Sequence, residues 1–211
     1  MQNLSDPQEK RLPDWNAAYR NAAEPLFGGE PSDFVREVAT RPDFHAKSAL
    51  CLADGDGRNG RWLAGQGLAV TAIDLSSVAT EQALNKDKVA GASVQRLTGD
   101  LADWQFSPED SWDAAFIIFL QCESLVRNRI ATEACRHLNP GGWFVGEGFS
   151  IDRAEDDLLG PKHSDLLYNT ADLAEACSGL RILNAGTTLM ELHEGVRHQG
   201  KAAIARFLAK R

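Results

Sequence analysis

The chain has 211 residues, of which 43% are hydrophobic, and a formal net charge of −8. That length suits one domain with a sizeable core, and the acidic balance excludes nucleic acid as a partner in the absence of a dense run of Lys and Arg. No apolar run approaches the ~20 residues that span a bilayer, and the polar opening "MQNLSDPQEKRLPDWN" has no apolar signal segment, so the expectation is a cytoplasmic protein without a membrane partner.

From Ser32 onward helix and strand patterns alternate. "SDFVREVATR" predicts a helix capped by Ser32 or Asp33, with Phe34, Val35 and Val38 on one face. "SALCLAD" predicts a short buried strand that runs into a glycine turn, and "GRNGRWLAGQG" a helix that stops at Gly65 or Gly67. "LAVTAID" is a second strand, followed by a helix from Ser76 or Ser77 to about Lys88. "SVQRLTGD" is a third strand, and "WDAAFIIFL", almost wholly apolar, a fourth that is covered on both faces. "RNRIATEACRHL" is a helix closed by "NPGG", and "WFVGEGF" is a fifth strand. A charged, irregular excursion, "SIDRAEDDLLGPKHSDLLYNT", precedes a short helix, "ADLAEAC". Two strands, "LRILNAGTTLMEL" and "AAIARFLA", finish the chain around the turn "HEGVRHQG". Repeated strand–helix units predict an α/β fold with a doubly wound, mostly parallel sheet. The short last connection makes the C-terminal pair an antiparallel hairpin, for seven strands in all. In such a sheet the ligand sits beyond the carboxyl ends of the strands. The glycine turn, Asp74, Asp100 and Gln121 all fall there.

Gly55, Gly57 and Gly60 spell G-x-G-x-x-G, a pattern shared by dinucleotide and other nucleoside sites. With Ala53 they let the backbone turn sharply and approach a ligand closely. Asp74 ends the second strand 19 residues after Gly55, where a carboxylate can accept bonds from both ribose hydroxyls; NAD and S-adenosylmethionine both want it there. Asp100, with the backbone of Leu101, suits an adenine edge, and Leu75 follows Asp74. Asp56, Arg58 and Asn59 suit an ammonium and a carboxylate, whereas Asp56 would repel a pyrophosphate. No G-K-[ST] follows the glycines, and neither Tyr19 nor Tyr168 has a Lys four positions on.

"SALCLADGDGRNGRWLAGQGLAVTAIDLSSVATEQA", "LTGDLADW", "WDAAFIIF" and "HLNPGGWFVGEGF" together resemble the motifs of class I S-adenosylmethionine-dependent methyltransferases. The likeness is to the bacterial branch similar to tellurite-resistance and thiopurine methyltransferases, and "DWNAAYR" resembles its N-terminal segment. The resemblance implies a Rossmann-like fold and S-adenosylmethionine as cofactor. The residues it places there are Trp15, Tyr19, Ala53, Gly55, Asp56, Gly57, Arg58, Asn59, Asp74, Leu75, Asp100, Leu101 and Gln121. It divides the chain into an N-terminal helical cap (1–47), a cofactor-binding core (48–150), a lid (151–170) and a C-terminal helix with hairpin (171–211). Cys51 and Ala53 stand where the family often has an acid and a glycine, so Cys51 cannot anchor the loop as a carboxylate would. Ala18 stands where Arg often precedes the tyrosine.

Methyl transfer from a sulfonium to a small-molecule acceptor is an in-line displacement with a good leaving group, so alignment and exclusion of water dominate. A hydroxyl or amine acceptor needs a base, whereas a thiolate does not. Glu147, His163 and Tyr168 are the candidate catalytic groups, with Gln121, Cys122 and Glu123 at the mouth of the crevice. A protein that binds the cofactor without transferring from it is the alternative, and an NAD-linked oxidoreductase a more distant one. Cys51, Cys122, Cys135 and Cys177 form no C-x-x-C, which predicts buried reduced thiols. His193 and His198 lack a third ligand and read as turn residues, so no metal is expected.

Overall fold

The computed structural model describes residues 12–154 and 159–211. Its elements in chain order are α1 (Trp15–Asn21), α2 (Asp33–Ala39), β1 (Ser48–Leu52), α3 (Arg58–Gly65), β2 (Ala69–Asp74), α4 (Ser77–Ala90) and β3 (Val94–Thr98). There follow β4 (Trp112–Ile118), α5 (Ser124–Arg136), β5 (Leu138–Phe149), α6 (Thr170–Ala176), β6 (Arg181–Glu194) and β7 (His198–Lys210). The strands form one seven-stranded sheet in the order β3-β2-β1-β4-β5-β7-β6. β1 to β5 pair in parallel, and β7 inserts antiparallel between β5 and β6. This is the expected Rossmann-like sheet with its antiparallel C-terminal hairpin.

The local signals act as their chemistry dictates. Ser32 caps α2 by accepting from the Phe34 N–H at 3.1 Å, and Ser76 caps α4 by accepting from the Ala79 N–H at 3.1 Å. α4 ends in a left-handed Gly91. Side chains alternate across β1, so Leu50 and Leu52 join one apolar layer with Ile117, Phe144 and Phe207, while Ala49 and Cys51 join the other with Phe34, Leu63 and Trp143. Both faces of the sheet are therefore covered, as the unbroken apolar run of β4 requires.

Three local expectations shift. α5 begins at Ser124, three residues before Arg127, because Arg127 points inward and donates to the Leu167 carbonyl at 2.7 Å. "NPGG" belongs to β5, where Gly141 at φ +80° carries the irregularity that an α5 stop signal was read from. The hairpin turn is only Gly195–Arg197, since β6 and β7 pair through to Glu194 and His198. Cys135 and Cys177, distant in sequence, meet Sγ to Sγ at 2.6 Å where α5 packs on α6. Among the described residues no helix is long and apolar enough to cross a membrane, and no cluster of His, Cys, Asp and Glu could hold a metal ion.

Candidate active site

The strand order reverses between β1 and β4. Crossovers leave to opposite faces there, and a crevice is left at the carboxyl ends. It holds a cavity of about 250 Å³ that spans from Asp100 after β3 to His198 at the start of β7.

Its floor is the turn after β1. Ala53 (φ +57°), Gly55 (φ +57°) and Gly57 (φ +89°) are all left-handed. Ala53 is held there by its N–H, which donates to the Ile73 carbonyl at 2.7 Å. A Cβ at Gly55 would collide with the Tyr19 hydroxyl, and one at Gly57 with the Arg96 guanidinium. The anchor of this turn is Asp54. Its carboxylate accepts from the Gly60 N–H at 3.1 Å and from Arg96 Nη1 at 2.9 Å. Arg96 also pairs with Asp87 at 2.5 Å and donates to the Gly57 carbonyl at 3.3 Å. The carboxylate that Cys51 does not supply is thus supplied three residues later.

Asp74 closes β2 beside the turn. Oδ2 accepts from the Gly55 N–H at 2.7 Å and Oδ1 from the Ser76 N–H at 2.8 Å, which leaves each oxygen a further lone pair toward the cavity. Burial pushes its pKa up to about 6, against the pull of those two N–H groups. Asp100 accepts from the Ala102 N–H at 2.8 Å and lines the cavity with Leu75 and Leu101.

The opposite side comes from the N-terminal segment. Trp15 and Tyr19 on α1 and Phe27 beyond it form an aromatic cluster with centroids 6.1 to 6.4 Å apart. Asp14 caps α1, and Asn16 Oδ1 accepts from the Ser76 hydroxyl at 2.8 Å and the Val78 N–H at 3.2 Å, docking α1 onto α4. Burial first, then the charges of Asp74, Asp56 and Asp54, hold the Tyr19 hydroxyl well above its ordinary pKa, so it remains a donor. The far wall is Phe119, Leu120, Gln121, Cys122, Glu123 and Val126 after β4, with His198 from β7. Burial pushes the Cys122 thiol up to about 12, so it is not a thiolate nucleophile.

The cavity therefore gathers Trp15, Tyr19, Ala53, Gly55, Arg58, Asn59, Asp74, Leu75, Asp100, Leu101 and Gln121. Several of these carry other duties. Arg58 donates to the Phe27 carbonyl at 2.7 Å and the Glu194 carboxylate at 2.9 Å, and Asn59 Oδ1 accepts from the Ser32 N–H at 2.9 Å. Arg58 thus lines the cavity with its guanidinium already paired to Glu194.

Asp56 and Gly57 do not line the cavity. Asp56 is buried against Lys86 Nζ at 2.5 Å, so its charge does not act on a ligand as expected. None of the three candidate catalytic groups reaches the cavity either. Glu147 is buried, bonded to the Ser32 hydroxyl and to Arg206 Nε at 2.9 Å, and it ties α2 to the sheet. The Tyr168 hydroxyl donates to the Leu120 carbonyl at 3.2 Å beneath the wall. His163 caps a 3-10 turn, Ser164–Leu166, by accepting from the Asp165 N–H at 3.2 Å. No described residue of 151–170 lines the cavity. Leu159 and Leu167 instead pack with Phe149, Leu192 and Ile204 over the hairpin, and residues 155–158 of the expected lid lie outside the described residues.

Asp54, Phe27, Phe119 and His198 were missed. Asp54 had a signal, a charge at the end of an apolar strand. The other three had none, because they arrive from separate elements.

Residues 49–142, just under half of the chain, match the family model described as "Methyltransferase domain". No curated protein sequence matches the chain. Among solved structures, the chain is similar to a protein studied in "Conversion of a Disulfide Bond into a Thioacetal Group during Echinomycin Biosynthesis" (TM-score 0.72, 21% identity, 93% of this chain and 90% of that one). It is similar also to TehB from Haemophilus influenzae (0.68, 19%, 84% and 61%). A third is magnesium protoporphyrin IX methyltransferase ChlM from Synechocystis PCC 6803 with bound SAH (0.56, 16%, 77% and 73%). The fold is the Rossmann-like fold of methyltransferases.

Proposed function

We propose that the chain is an S-adenosylmethionine-dependent methyltransferase acting on a small molecule. The observation that carries this reading is a single cavity that joins the glycine turn after β1, Asp74 after β2 and Asp100 after β3, within the stretch matched to a methyltransferase domain. The lining fits the cofactor. Asp74 has lone pairs left for ribose hydroxyls, and Asp100 with the Leu101 backbone stands where an adenine edge would lie. Asp74, Asp100 and Glu123 line the cavity, and the guanidinium of Arg58 is spent on Glu194 as the carboxylate of Asp54 is on Arg96. Such a field suits a ligand that carries a sulfonium and an ammonium, and it opposes a pyrophosphate.

When bound, the cofactor supplies a methyl group on a positive sulfur that leaves as a neutral thioether. The chain's part is to orient and to dry the site. Asp74 would hold the sugar, the turn after β1 would hold the tail, and Trp15, Tyr19 and Phe27 would keep water from the site. The acceptor then approaches from the side of β4 and β7. Calorimetry with S-adenosylmethionine, S-adenosylhomocysteine and NAD tests the cofactor; NAD binding tighter than both sulfur ligands would overturn the reading. A screen of small-molecule pools with methyl-labelled S-adenosylmethionine tests the reaction, and binding without any labelled product would instead support a binding protein.

A further inference from the structure

The strand order divides the cavity. Asp74 and Asp100 stand on the β2–β3 side, whereas His198 opens β7 on the far side of β4 and β5. His198 is 1% exposed and lies among three rings, with centroids 4.3 Å from Phe119, 4.8 Å from Phe27 and 5.2 Å from Phe149. Nδ1 lies 3.3 Å from Glu194 Oε2, and the same oxygen takes Arg58 Nη2 at 2.9 Å. Among the described residues Nε2 has no hydrogen-bond partner, and the ring lines the cavity. A buried ring nitrogen without a partner is costly, and such a group calls for a reason.

We infer that His198 Nε2 takes the proton of the methyl acceptor, with Glu194 as its positioning residue, and that the acceptor is a ring-bearing molecule with a phenol-like hydroxyl. This rests on the methyltransferase reading. The carboxylate of Glu194 fixes the Nδ1–H tautomer and leaves a lone pair on Nε2. Burial holds the imidazole neutral, and the partners of Glu194 hold that group ionised. An imidazolium formed during turnover would rest against that carboxylate. A thiolate attacks a sulfonium without such help, whereas a hydroxyl must give up its proton as it attacks and needs a base. Phe27, Phe119 and Trp15 on the wall supply apolar, stacking surface for a ring. The acceptor oxygen forms its bond to the methyl carbon, and the carbon–sulfur bond breaks with its electron pair left on sulfur. The hydroxyl proton passes to Nε2 and then to water. A hydroxyl and a sulfonium thus give a methyl ether, a thioether and a proton.

The test is 15N imidazole NMR of the S-adenosylhomocysteine complex, titrated with phenol and, separately, with toluene. His198 is expected as the Nδ1–H tautomer, and phenol but not toluene is expected to shift the Nε2 resonance. Glu194→Ala is expected to mix the tautomers. His198→Gln is expected to bind phenol about fivefold more weakly, the loss of one hydrogen bond, with unchanged affinity for S-adenosylhomocysteine. An Nε2–H tautomer, or an Nε2 signal that phenol leaves in place, overturns the inference. Failure of S-adenosylhomocysteine to bind at all overturns the methyltransferase reading instead.

Discussion

Asp74 is a residue on which the local structure depends and on which binding of the proposed cofactor would depend. Its two oxygens already accept from Gly55 and Ser76, so it caps a helix and holds a turn while facing the cavity. Replacing Asp74→Ala removes charge-assisted bonds worth roughly 1.5–3 kcal/mol each. The expected outcome is at least a tenfold loss of affinity for S-adenosylhomocysteine by calorimetry, with the fold retained by circular dichroism. The pH dependence follows from the same group. Its folded pKa is raised from 3.8 to about 6, so the folded chain binds more protons than the unfolded one between those values. Stability of the free protein therefore falls as pH rises through that window. Ribose hydroxyls donate to the ionised form, so cofactor affinity runs the other way: it is full above the folded pKa and falls as pH drops below about 6. Asp74→Asn is expected to bind more weakly at pH 7 and to show a flat profile over the same range.

The turn between β1 and α3 shows what a motif leaves unsaid. Its glycines are legible in the sequence because left-handed backbone and close approach exclude side chains. The partner of its anchor is not, because Arg96 comes from β3, 42 residues after Asp54, and joins Asp54 to Asp87 of α4 in a buried network. Breaking such a network leaves buried charge without a partner, which costs about 3–5 kcal/mol. Arg96→Met is expected to lower stability by about that amount in urea denaturation and to weaken cofactor binding as the turn loosens. An unchanged midpoint would mean that Asp54 and Asp87 find other partners. Asp56, Glu147 and Tyr168 lie off the cavity for a related reason. Polar groups among glycines at a strand end read alike whether they serve a ligand or the scaffold, and only their partners distinguish the two.

At the scale of the molecule, one side of the cavity is not part of the sheet at all. The segment from Trp15 to Phe27 is held by Asn16 on α4, by Gln82, which donates to the Tyr19 carbonyl at 3.1 Å, and by Arg58 on the Phe27 carbonyl. Tyr19 and Leu26 also pack on Ala79 of α4, but this cluster is smaller than either apolar layer of the sheet, so the segment opens more easily than the sheet. Binding of S-adenosylhomocysteine is expected to slow amide exchange from residue 15 to 27. The described residues 159–170 are expected to be unaffected, since they pack over the hairpin. Equal slowing in both would show that the excursion after β5 also closes over the ligand.

Legible in the residues alone are the order and type of the elements, the parallel sheet with its terminal hairpin, and the carboxyl-end position of the glycine turn, Asp74 and Asp100. Each of these rests on a local signal: side-chain period, caps, turn glycines and the length of a connection. The tertiary structure decided which polar groups face the cavity and which are consumed inside the scaffold. It spent Asp56 on Lys86, Glu147 on Arg206 and Arg58 on Glu194, and it brought Phe27 and Phe119 from separate elements against the ring of His198. Partners so far apart in the chain leave no local period or spacing, because burial and charge pairing are settled only when the elements pack.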